Sequence, residues 1–151
     1  MGRTLCCSFQ PIVAGHAMKP YTFRADRSPW KNRDPIDDGR LVVAIRNELE
    51  KYHMMVTWNG KLFDAAFLNA RLLKAGERPL RVQFHLDAMW FAGGCSNRIG
   101  SKKLVNVQKF LGLAVAKTDI SWPEWHRAAL GDKKAFEGVV HHCEMDVKVL
   151  A

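Results

Sequence analysis

One carboxylate stands apart in "VTWNGKLFDAAFLNARLLKAG", Val56 to Gly76. Asp64 follows an Asn-Gly turn, and a helical pattern begins beside it. β-Branched residues precede the turn, so the acid falls at the seam between a strand and a helix. In open α/β sheets ligands gather outside the carboxyl ends of strands, where such an acid can face a crevice. Aspartate is also a favoured helix N-cap, so the position suits a purely structural role as well. A second group lies in "VVHHCEMDVKVL", Val139 to Leu150. His142 and Asp146 are four residues apart and share a helical face, whereas His141 lies further round. An acid that fixes a divalent cation beside a base that takes a proton from water suits metal-dependent hydrolysis. The same residues on an exposed charged turn would carry no chemistry.

The elements that must position these groups are legible from periodicity. "RTLCCSFQPI" (Arg3 to Ile12) reads as a buried strand and "KPYTFRA" (Lys19 to Ala25) as a second, pairing with it as a hairpin across the Gly15 region. "DRSPWKNRDPIDDGR" is a surface loop by its prolines and charges. Leu41, Val42, Ile45 and Leu49 predict a helix over Asp37 to Lys51, and "HMMVTWN" a short buried strand. The next helix, about Ala65 to Ala75, has an apolar stripe of Phe67, Leu68, Leu72 and Leu73, and Gly76 stops it. "RVQFHLDA" (Arg81 to Ala88) alternates, with Val82, Phe84 and Leu86 expected inward. Helices come next over Leu104 to Leu111, Pro123 to Leu130 and Lys133 to Leu150. Early strands joined by a turn, then strands separated by helices, predict an α/β fold: a mixed sheet flanked by helices.

The chain of 151 residues is read as one domain, long enough to bury a core unaided. A net charge of +8 favours a polyanionic partner, nucleic acid before an anionic membrane surface. No run of about 18 apolar residues is present to span a bilayer. The N-terminus makes a poor signal peptide. Cys6, Cys7, Cys95 and Cys143 show no Cys-x-x-Cys spacing and read as reduced thiols of a cytoplasmic protein.

Taken together, "TWNGKLFDAAFLNARL" resembles the second motif of the DnaQ-like 3′–5′ exonucleases of the ribonuclease H-like superfamily, in which Asn-Gly-x-x-Phe-Asp places a metal-binding aspartate after a strand. "HHCEMDVKVL" resembles the third motif, where Tyr or His precedes the last metal-binding Asp. "HLDAMWF" and "GSKKLVNVQKFLGL" resemble the intervening strand and helix, so the likeness covers essentially the whole chain. It implies a ribonuclease H-like fold, Mg2+ or Mn2+ at a two-metal site, metal ligands Asp64 and Asp146, and a general base at His142 or His141. Continuity of the helix favours His142. It also implies an acidic pair, Asp-x-Glu, on the central strand, and no Asp-x-Glu occurs in the chain. The expectation is therefore an exonuclease domain lacking its first, central strand, from a truncated record or an internal methionine, and poorly active or inactive as it stands. That loss would leave the Arg3–Ile12 and Met54–Trp58 strands each with an unpaired edge.

An exonuclease of this kind seats a single-stranded 3′ end, of DNA or else RNA, on cations and aromatic surfaces. "NRIGSKK" offers Arg98, Lys102 and Lys103, and Asn59 and Phe63 flank Asp64. Trp58 could stack on a base or fill the core, while Trp30, Trp90, Trp122 and Trp125 read as packing residues. The rival from another class is a catalytically inactive nucleic-acid-binding domain on the same scaffold, which would bind DNA in a salt-sensitive way without cleaving it.

Overall fold

A computed structural model describes residues 2–93, 99–115 and 118–151. Strand β1 (Cys6–Phe9) pairs antiparallel with β4 (Tyr21–Arg24), Cys6 opposite Arg24 and Phe9 opposite Tyr21. Between them a small ribbon of β2 (Ile12–Val13) and β3 (His16–Ala17) turns through Ala14 and Gly15, both at positive φ. Helix α1 (Gly39–Leu49) leads to β5 (Met54–Thr57), helix α2 (Asp64–Lys74) and β6 (Phe84–Asp87). β5 and β6 are parallel, with Thr57 opposite Asp87, so this segment is a β-α-β unit. Helices α3 (Ala88–Gly93), α4 (Leu104–Leu111), α5 (Trp122–Ala129) and α6 (Lys133–Leu150) complete the described chain. No described helix is long and apolar enough to cross a membrane.

Alternation along β1 sends successive side chains to opposite faces, and each face has its own helical cover. Cys7 and Phe9 join Leu41, Val42, Ile45, Leu68 and Leu72, the layer of α1 and α2. Cys6, together with Leu5 just before the strand, joins Ala128, Phe136, Val139 and Val140, the layer of α5 and α6. On this face Ser8 Oγ meets Thr22 Oγ1 at 2.8 Å, and Thr22 donates to Glu144 Oε1 at 2.9 Å, seating α6 across the strands. Cys6, Cys7 and Cys143 are free thiols, and Cys95 lies outside the described residues. The result is an α/β fold of mixed pairing flanked by helices, in small separate sheets. Among the described residues β1 and β5 each pair along one edge only.

Several sequence expectations are corrected by what covers each face. Phe84 (61 % exposed) and Leu86 face outward, because β6 pairs only with β5 and no described layer lies over that side. In α2 only Leu68 and Leu72 of the expected stripe are buried. The helix meets α1 along a narrow seam, leaving Phe67 and Leu73 at its exposed margins. Trp30 does pack, stacked on Phe23 at 4.4 Å between ring centroids, and Trp125 packs against the α5–α6 core. Trp90 (56 % exposed) and Trp122 (81 %) do not, since each stands on the outer face of its helix.

Candidate active site

The seam between β5 and α2 is a tight, well-specified turn. Asn59 sits at φ 60°, the left-handed region that Asn tolerates better than most residues. Gly60 is buried, and a Cβ there would come within 2.5 Å of the Thr57 side chain, so only glycine fits. Phe63 N donates to Asn59 O (3.1 Å) and Ala65 N to Gly60 O (2.8 Å), rolling the chain into α2. The N-cap position is taken by Phe63, and no side chain caps the helix. Asp64 is instead the first helical residue, at the positive end of the α2 dipole. Although the residue is exposed, crowding of its carboxyl by the surrounding protein raises its pKa above the ordinary aspartate value. The charges of Asp87 and Asp146 push in the same direction, against the pull of its own backbone amide. The charges of Asp87, on β6, and Asp146, on α6, thus both reach Asp64 on α2.

On α6, which is unbroken from Lys133 to Leu150, His142 Nε2 stands 3.6 Å from Asp146 Oδ2. The imidazole is held from two sides: Nδ1 meets Thr118 Oγ1 at 3.0 Å, and the Trp125 ring lies edge-on at 6.2 Å. His141 is exposed, one position round the helix.

Asp87, within the "HLDAMWF" segment, has no site role in the sequence analysis. It is 2 % exposed, and its oxygens accept backbone amides: Oδ1 from Asn59 (2.8 Å) and Met89 (3.3 Å), Oδ2 from Lys61 (3.1 Å). Its place as the last residue of β6, directly across from Thr57, was the available signal.

Among the described residues no three His, Cys, Asp or Glu side chains group to hold a metal ion. Asp64 and Asp146 are hard oxygen donors of the kind that suits Mg2+ or Mn2+. Such an ion keeps several waters and is commonly bound by one or two carboxylates together with substrate phosphate. In donor chemistry alone the pair would suit one such ion. A two-ion site needs acids that the described residues do not bring to this place.

Around the carboxyl ends of β5 and β6 lies a second cluster. Trp58, half-buried, donates its indole N–H to the Lys102 carbonyl at 3.1 Å. Lys102 Nζ lies 5.9 Å from the centroid of the Trp90 ring. Its stem passes so close to Gly93 that a Cβ there would meet Cγ at 2.7 Å. Lys103 is exposed at the N-cap of α4, Phe63 is 67 % exposed, and Arg98 lies outside the described residues.

Comparison with known proteins gives one result: the family model described as the RNase H superfamily matches residues 14–151. No curated protein and no solved structure matches the chain.

Proposed function

Because the chain belongs to the RNase H superfamily, whose domains are typically nucleases that bind nucleic acid, we propose that it is a DnaQ-like, metal-dependent 3′–5′ exonuclease domain acting on single-stranded DNA ends. The observation that carries this reading is the pairing of His142 Nε2 with Asp146 Oδ2 at 3.6 Å, on the helix whose Asp146 charge reaches Asp64. Asp64 follows the carboxyl end of β5, where ligands of open α/β sheets gather, and an acid some eighty residues further along the chain would be its partner for a cation.

In this reading Asp64 and Asp146 hold a Mg2+ or Mn2+ ion. When bound, the ion supplies Lewis acidity at a phosphoryl oxygen. His142 takes the proton of the attacking water at Nε2, and Thr118 and Trp125 fix the ring for that task. Lys102 and Lys103 meet backbone phosphates, while Phe63, Trp58 and Trp90 meet bases and Asn59 lines the approach to the terminal nucleotide. The absent Asp-x-Glu pair predicts that the 151-residue chain by itself cleaves poorly or not at all.

The test uses a chain extended at its N-terminus by a strand carrying Asp-x-Glu, with 5′-labelled single-stranded DNA and a matched RNA. Mg2+-dependent shortening from the 3′ end is expected. It should disappear with EDTA and in Asp64→Asn and Asp146→Asn, and fall about a hundredfold or more in His142→Ala. Continued inactivity with the acidic pair supplied would overturn the proposal, and salt-sensitive binding without cleavage would make the domain a nucleic-acid-binding one.

A further inference from the structure

Asp87 is a buried acid that the reaction proposed above does not use. Leaving a carboxylate out of water is costly unless hydrogen bonds replace its hydration. Here the replacement is backbone: the amides of Asn59 and Lys61, on the turn after β5, and that of Met89, on the first turn of α3. One side chain therefore ties the carboxyl ends of two parallel strands to the turn that leaves β5 and to the helix that leaves β6. The β5–β6 register makes this possible, because Asp87 stands opposite Thr57 and its carboxyl reaches the two amides that flank Gly60.

The turn needs such a hold. Asn59 occupies a left-handed conformation that a non-glycine residue keeps only when its surroundings impose it. Gly60 lies hard against Thr57, and Asp64 comes only three residues after Lys61. A turn free to relax at Asn59 would swing the start of α2, and with it the Asp64 carboxyl, away from Asp146. Each Asp87 oxygen already accepts at least one amide and the residue is almost wholly enclosed, so its geometry is that of a clamp and not of a cation ligand.

We infer that Asp87 is a positioning residue: by accepting the Asn59 and Lys61 amides it fixes the β5–α2 turn in the shape that sets Asp64 at the first position of α2. The inference rests on the reading of Asp64 as a site carboxylate, but its structural half can be measured without any activity.

The experiment is amide hydrogen exchange and Mn2+ line broadening on the 15N-labelled chain, comparing wild type, Asp87→Asn and Asp87→Glu. In the wild type the Asn59 and Lys61 amides should be protected. In Asp87→Asn they should exchange about tenfold faster or more, with Val139 and Val140 of α6 unchanged. Mn2+ should broaden signals around both Asp64 and Asp146 in the wild type, and mainly those around Asp146 in the variant. Asp87→Glu keeps the charge and shifts the oxygens by a methylene. Loss of the Asp64 broadening in Glu as in Asn supports positioning, whereas full retention in Glu would assign the effect to charge and overturn it. A wild-type chain that takes up no Mn2+ would count against the proposed function. The exchange data then decide the clamp alone: selective loss at Asn59 and Lys61 supports it, and a uniform change refutes it. Should neither variant fold, wild-type Asn59 and Lys61 amides exchanging as fast as exposed loop amides would refute it too.

Discussion

Asp64 carries a cost that its proposed role explains. A carboxyl whose pKa is raised in the folded chain resists ionisation there, so at neutral pH its charge works against folding. The direction comes from proton counting. Below the ordinary aspartate pKa both folded and unfolded chains hold the proton and the residue is neutral to stability. As pH rises through that value the unfolded chain ionises first, and the penalty grows until the folded pKa is passed. Asp64→Asn should therefore be more stable than the wild type at pH 7, with the advantage fading below about pH 4. Thermal denaturation of both proteins across this range tests it, and a variant less stable at pH 7 would show that Asp64 serves the fold. The same substitution should weaken Mn2+ binding, so stability and site would move in opposite directions. Part of this was legible in the sequence, since the Asn-Gly turn places Asp64 at a strand–helix seam. Its structural alternative, a capping side chain, was equally consistent with the residue order, and the backbone decides by giving the N-cap position to Phe63.

Elements meet here through a few buried ionic contacts as well as apolar seams. Arg71 of α2 donates Nε to both oxygens of Asp38, at 2.9 and 3.1 Å, and Asp38 also accepts the Thr4 amide at 2.6 Å. Burial alone would raise the Asp38 pKa, but the hydrogen bonds from Arg71 and Thr4 outweigh it and hold the carboxyl below its ordinary value. Arg71→Ala strands that charge at the start of α1 and is expected to cost about 3–5 kcal/mol in chemical denaturation. The Asp38 contribution is present above the ordinary aspartate pKa and is lost as pH falls through the depressed folded value. A cost below about 1 kcal/mol would mean that Asp38 finds water or another partner once Arg71 is gone. Helix and strand positions were readable because backbone periods are local. The outward Phe84, Leu86 and Trp90 were not, because an apolar residue is inward only if another element arrives to cover it.

At the scale of the molecule the two main pairs of strands share no hydrogen-bonded edge among the described residues. β1 pairs with β4 and β5 with β6, leaving one side of β1 and one side of β5 without a described partner strand. Such edges invite pairing with other chains. In the proposed reading a strand carrying Asp-x-Glu pairs with both, so a chain fused to one should melt at least about 5 °C higher. The fusion should also reduce concentration-dependent association in light scattering. A fused strand that leaves both unchanged would mean that it does not enter the sheet. The charge of +8 acts at this scale too: single-stranded DNA binding should weaken steeply with salt, and Lys102→Ala and Lys103→Ala should each lower that slope by about one.

The sequence by itself determined the order of the main strands and helices, without the β2–β3 ribbon or α3, the seat of Asp64 at a strand–helix seam, and the common helical face of His142 and Asp146. All of these come from repeats of 2 and 3.6 residues and from turn chemistry within a few positions. Only the tertiary structure decided that the charge of Asp146 reaches Asp64, that Asp87 spends its oxygens on Asn59 and Lys61, and that Trp90 stands outside. These depend on the parallel register of β5 with β6 and on α6 lying across β1. Contacts of that range are fixed by which surfaces bury each other, and no local period encodes them.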